Sequence, residues 1–222
     1  MKKPYNFALI GRSGSGKGTQ AKLLMEHFGN NFLYIATGDL FRDLSKNNSA
    51  TAIRVKKVME EGGLPFDYLA IALWVHKIAC ELKEDQGLMV DGAPRRMNEA
   101  TVLEDFLDFL GRKENTFNIL IDISREEAFN RLTKRRICKN CQKLIPWVGD
   151  FKNLEACDEC GGELITRIDD SPEAINKRLD YFEDKVIPVI EFYEKNNRLI
   201  KINGEQPIEK VFEDILKAIG EK

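Results

Sequence analysis

The sequence predicts an α/β fold, a five-stranded parallel sheet with helices on both faces. Five short apolar segments, 5–10, 33–36, 87–91, 118–123 and 198–203, are each separated from the next by residues with helical spacing. Their near-continuous apolarity suits strands buried on both faces, as parallel strands are. The first of them also runs through a glycine-rich turn directly into a helical pattern, which is how a strand–loop–helix unit begins. At 222 residues the chain can bury a sizeable core. A charged fraction of 32% that nets to only −2 argues against a general nucleic-acid binder, so any basic site must be a local concentration of Arg and Lys. No apolar stretch approaches the roughly 20 residues of a membrane span. Met1-Lys-Lys-Pro-Tyr5 shows no signal-peptide core, so the expectation is a cytoplasmic protein with no membrane partner.

The elements follow in order. The strand ending at Ile10 meets Gly11-Arg-Ser-Gly-Ser-Gly-Lys-Gly-Thr19. Its glycines let successive N–H groups point inward, the helix begun by Thr19-Gln-Ala-Lys-Leu-Leu-Met25 adds a positive dipole end, and Lys17 adds a full charge. Gly14, Ser15, Gly16, Lys17, Gly18 and Thr19 therefore form a candidate cradle for a nucleotide polyphosphate. The P-loop pattern Gly-x4-Gly-Lys-Ser/Thr is missed by one place, because Gly18 stands at the hydroxyl position. The second strand ends in Thr37-Gly38-Asp39-Leu-Phe-Arg42, a polar turn with an Arg one helical turn on, in which Asp39 is read as a helix cap. Residues 36–66 then form a polar helical insert, and Cys80 closes an apolar helical run as a small core residue. The third strand delivers Asp91-Gly92-Ala-Pro-Arg95. An Asp at the carboxyl end of a strand beside such a loop is placed to hold Mg²⁺ through water, the more so because Gly18 has no hydroxyl to offer. Arg95 lies just beyond, placed for a second phosphate. Ser171-Pro172-Glu173 opens a helix that should run past Phe182 until Pro188 breaks or kinks it, and the last helix spans about 208–219.

The segment 134–170 carries Cys138-x-x-Cys141 and, fifteen residues on, Cys157-x-x-Cys160. Two such knuckles supply four thiolates to a tetrahedron, the pattern of a structural zinc site with no position left for water. A segment this short and polar depends on its metal to fold. Arg131, Arg135 and Arg136 precede the first knuckle, and Arg167 and Arg178 follow the second. Closure would bring their guanidinium groups over the loop at Lys17, where they can bind phosphate oxygens bidentately and stabilise charge during transfer.

Taken together, Gly-x-x-Gly-x-Gly-Lys-Gly-Thr, Thr-Gly-Asp-x-x-Arg, Asp-Gly-x-Pro-Arg and the Arg-x3-Arg-Arg…Thr-Arg-x-Asp-Asp…Lys-Arg-Leu series resemble adenylate kinases of the long-lid type whose lid binds zinc through cysteines. The resemblance runs over essentially the whole chain. It implies a P-loop core of residues 1–35, 67–133 and 171–222, a monophosphate-binding insert at 36–66 and a lid at 134–170. It further implies that Lys17, Arg95, Arg135, Arg167 and Arg178 contact the transferring phosphates. Arg131 would stack on the ATP adenine, with the backbone of Gln206 nearby. Thr37, Gly38, Arg42, Leu64, Gly92, Arg95, Glu99, Arg167 and Arg178 would surround AMP. The implied reaction is ATP + AMP ⇌ 2 ADP with Mg²⁺, in a monomer whose partners are nucleotides. The chain departs from the family pattern at four places. Ser13 stands for Pro, Ala93 for Phe, Leu144-Ile-Pro-Trp147 for a Tyr-His pair, and Glu99 for the Gln that reads the AMP base. Guanine, with two adjacent donors, would satisfy Glu99 fully, so a GMP kinase is the nearest alternative, ahead of UMP or CMP. A non-catalytic zinc-ribbon module that binds nucleic acid, with ATP as its switch, is the distant one.

Overall fold

A computed structural model of the chain describes residues 4–167 and 169–221. Residues 1–3, 168 and 222, which belong to the ends of the expected core and to the expected lid, lie outside it. Strands β1 (Asn6–Ile10), β2 (Phe32–Ala36), β3 (Gly87–Asp91), β4 (Thr116–Asp122) and, after three strands of a second sheet, β8 (Leu199–Asn203) form one sheet in the order β2-β3-β1-β4-β8. All four pairings are parallel, as expected. β1 is buried along its whole length because helices cover both faces. One face packs on α2 (Thr37–Leu44), α3 (Ala50–Glu60), α4 (Asp67–Glu81) and α5 (Met97–Phe109) through Phe41, Val55, Trp74 and Leu103. The other packs on α1 (Lys17–His27) and α9 (Ile208–Ala218) through Leu24, Val211 and Ile215.

The second sheet is short and antiparallel. β5 (Arg136–Cys138) lies between β6 (Leu144–Ile145) and β7 (Leu164–Thr166). The chain enters it from α6 (Arg125–Lys134) and leaves it into α7 (Pro172–Tyr181). These two helices pack together through Ala128, Leu132, Ile175 and Leu179. Ser171 caps α7, its Oγ accepting from the Ala174 N–H at 3.2 Å, with Pro172 in the first turn. Pro188 does not break the helix that follows. One π turn, Phe182–Val186, joins α7 to α8 (Ile187–Lys195). Such a widened turn is one way a helix accommodates a proline ring and the donor it lacks.

Two local expectations are corrected. Cys80 is exposed rather than in the core, because α4 buries Ala70, Ile71, Trp74 and Ile78 and a residue two places past Ile78 falls on the opposite face. Asp39 does not cap α2, which starts at Thr37 with no side-chain cap. It sits in the first turn and pairs with Arg42 instead.

Candidate active site

A cavity of about 510 Å³ opens at the carboxyl ends of the central strands, between the loop at residues 11–19, the α2–α3 segment and the cysteine-rich sheet. Lys17, Asp91, Arg95, Arg135, Arg167 and Arg178 all line it. The loop is held open by its glycines. Gly16 caps α1 at φ 97°, a left-handed conformation that a side chain would strain, and aims the helix N-terminus into the cavity. Lys17 Nζ donates to the carbonyls of Gly11 (2.9 Å) and Arg12 (2.8 Å) and reaches Ser15 Oγ at 3.4 Å. Burial pulls its pKa down to about 8, against the opposing pull of Asp91.

Asp91 stands at the end of β3, with Tyr34 Oη donating to its Oδ2 at 2.9 Å. Burial pushes the carboxyl group up, while Lys17 and the Tyr34 bond hold it down. Burial and the adjacent carboxylate push the Tyr34 hydroxyl far up, so it remains a donor. Tyr34 belongs to no motif in the sequence, its only signal being a polar tip in the otherwise apolar β2.

The arginines that bracket the cysteine-rich sheet are brought together by two carboxylates. Asp170, with no exposed side-chain surface, accepts from Arg135 Nε (2.8 Å) and a terminal nitrogen of the same side chain (2.6 Å), and from Arg178 at 2.6 Å. Burial pushes Asp170 up, but the two guanidinium groups outweigh it and hold its pKa below the ordinary value. Arg167 forms a second fork on Asp169, at 2.6 and 2.7 Å. Their place next to Arg167 was the one sequence signal for these aspartates. Arg136 does not join the cluster. Its guanidinium donates to the carbonyls of Leu154 (2.6 Å) and Phe151 (3.2 Å) and so ties down the segment that carries Trp147. Arg131 lines the cavity with its guanidinium fixed by Glu127 (2.6 Å) and the Gly204 carbonyl (3.0 Å).

At the other end, Gly38, Arg42, Leu64 and Gly92 line the cavity. Arg42 lies across Gly38, and Arg95 Nε donates to the Gly92 carbonyl at 2.6 Å. Thr37 is buried, and its hydroxyl oxygen finds no hydrogen-bond partner among the described residues. Ala93 is buried in the same apolar cluster as Phe41, and Phe41 rather than residue 93 presents a ring to the cavity. Glu99 and Gln206 are not among the residues that line it. The Glu99 carboxylate is buried and accepts the backbone N–H of Arg95 at 3.0 Å, and burial raises its pKa. The Gln206 amide donates to the Asn203 carbonyl (2.9 Å) and to Asp214 (3.0 Å).

A family model described as adenylate kinase matches residues 9–198. The chain belongs to the adenylate kinase family. The adenylate kinase of Geobacillus sp. (strain WCH70) is 38% identical over 97% of this chain and 98% of its own. That of Methanocella arvoryzae is 39% identical over 96% and 97%, and that of Thermosipho africanus 34% identical over 96% and 99%. In this chain the four cysteine sulfurs lie within 4.8 Å of one another, with Cys138–Cys160 at 3.4 Å and Cys141–Cys157 at 3.6 Å. A tetrahedral zinc with Zn–S bonds of about 2.3 Å sets its sulfurs roughly 3.8 Å apart, so the four thiols fit a four-coordinate metal. Gly162 makes room for them, since a Cβ there would stand 2.8 Å from Cys138 Sγ.

Proposed function

We propose that the chain transfers the terminal phosphoryl group of MgATP reversibly to AMP, giving two ADP. The observation that carries this reading is the convergence of Lys17, Asp91, Arg95, Arg135, Arg167 and Arg178 on one cavity that also opens onto Leu64 and Arg42. The cavity can thus take a nucleotide at each end, with the cations between them. The N–H groups of residues 14–19 and Lys17 hold the donor phosphates, and Arg131 offers the flat face of its guanidinium to the donor base. Arg42 and Arg95 hold the acceptor phosphate, while Thr37 and the backbone at Leu64 approach the acceptor base. Arg135, Arg167 and Arg178, pre-set by Asp169 and Asp170, face the charge that spreads over the moving phosphoryl group. No general base is required, because catalysis here is alignment and neutralisation.

Asp91 would hold the Mg²⁺ that comes with ATP, and that ion supplies further neutralisation of the phosphate oxygens. Cys138, Cys141, Cys157 and Cys160 would hold a zinc ion that fixes the small sheet. We assign residues 36–66 and 134–170 as an insert and a lid, and the lid's apolar wall of Leu144, Pro146, Trp147 and Phe151 keeps water from the phosphoryl group. A coupled assay for ADP formation with AMP, GMP, CMP and UMP side by side tests the reading. AMP should be used at least tenfold more efficiently than the others, and equal or better use of GMP would overturn the choice of acceptor.

A further inference from the structure

The end of the insert faces two ways. Leu64 lines the cavity. Two residues earlier the chain turns at Gly62, φ +74°, with its backbone directly against α7. A Cβ on Gly62 would stand 2.5 Å from Ala174 Cα and 2.8 Å from the Ala174 carbonyl oxygen, so no side chain fits between the two backbones. One turn along α7, Lys177 Nζ donates to the Glu61 carbonyl at 3.0 Å. The Ala174 carbonyl that packs on Gly62 also accepts from Arg178 Nε at 3.4 Å. The Arg178 guanidinium shares Asp170 with Arg135. A continuous series of contacts therefore runs from the acceptor end of the cavity to two of the arginines above Lys17.

We propose that Gly62 and Lys177 are positioning residues that couple the two nucleotide sites. A monophosphate drawn against Leu64 bears on the Glu61–Leu64 turn, which already packs on α7. Close-packed backbones transmit a shift instead of absorbing it. The first turn of α7 then seats Arg178, and Arg178 with Asp170 seats Arg135, where the donor phosphates need them. Coupling of this kind is reciprocal, so the donor nucleotide must also tighten binding of the acceptor. The inference rests on the two-ended reading of the cavity given above.

Calorimetric titration of the full chain tests it, using AMP and a non-transferable ATP analogue with a β,γ-imido bridge. In the unaltered protein the analogue should tighten AMP binding by about fivefold or more, the lower range of measured site-to-site couplings. Lys177→Met removes one exposed tie and should halve that factor, with AMP alone still binding within about threefold of the unaltered protein. Gly62→Ala forces the turn off α7 and should bring the factor close to one. A coupling factor unchanged in Lys177→Met, in protein that melts like the unaltered chain, overturns the proposal, as does binding of both nucleotides with no coupling in the unaltered protein. A chain that binds neither nucleotide overturns the functional reading and this inference with it.

Discussion

The carboxylate of Asp91 lies against the backbone of Gly18: a Cβ at residue 18 would stand 3.3 Å from Asp91 Oδ2. The glycine that replaces a hydroxyl residue in the phosphate loop is therefore also the space into which the end of β3 reaches. Gly18→Ala should raise helix stability by up to about 1 kcal/mol, since Gly18 lies in the first turn of α1. The same methyl group crowds the Asp91 oxygen that accepts from the Tyr34 hydroxyl. We expect the Mg²⁺ concentration for half-maximal activity to rise in Gly18→Ala and to rise further, by about tenfold, in Gly18→Val. A Mg²⁺ titration of initial rates checks both, and a flat response would separate Gly18 from the metal.

Lys17→Met should lower turnover by a factor on the order of 10³, the scale of losing a key electrostatic stabiliser. It should also raise the melting temperature at pH 7. Burial lowers the Lys17 pKa from 10.5 to about 8, so between those values the unfolded chain binds a proton that the folded chain has released. Stability from this group thus increases as pH rises through that interval, and its charge is a liability below it. The advantage of the Met variant should shrink between pH 7 and pH 10, as read by thermal melts at a series of pH values.

Asp170→Asn leaves Arg135 and Arg178 without their shared carboxylate. Breaking a buried ion pair on one side costs about 3 kcal/mol or more, and denaturant titration at pH 7 should show a loss of that size. The Asp170 pKa is depressed, so its contribution is fully present above the ordinary carboxylate value of 3.8 and fades as pH falls through the lowered one. The gap between variant and unaltered protein should accordingly close in acid. A gap that does not narrow as pH falls below the ordinary carboxylate range would mean that packing, not charge, explains the loss.

Cys138→Ser with Cys141→Ser, or prolonged chelation, should release one metal ion per chain and lower the melting temperature, because binding energy is folding energy in such a module. Metal analysis paired with calorimetry checks this. The chemistry should survive at reduced rate, since no cysteine is among the residues that line the cavity.

Glu99→Gln should leave the preference for AMP over GMP unchanged within about twofold. A Gln carbonyl can accept the Arg95 N–H as the carboxylate does. Side-by-side KM values for the two monophosphates decide it, and a several-fold drop in KM for AMP would return Glu99 to the base.

The features written in the sequence are those whose physics is short-ranged. The strand–loop–helix unit at 5–25, the two Cys-x-x-Cys knuckles and the Ser171-Pro172 cap each depend on residues a few places apart, so spacing alone revealed them. The parallel sheet followed from apolar runs that need cover on both faces. What tertiary structure decided is where side chains go once distant segments meet. Arg136 and Arg135 are neighbours in the chain, yet one is taken up by the carbonyls of Leu154 and Phe151 and the other by Asp170, because Arg136 opens β5 while Arg135 stands at the C-terminal end of α6, outside the strand. Cys80 sits in an apolar run but on the outer face of α4, a distinction set by helix phase. Glu99 was placed by motif position and turned by packing toward the Arg95 backbone, where a buried carboxylate must find a donor. The contact of Gly62 with Ala174 joins residues more than a hundred places apart, and only the folded chain brings those two backbones together.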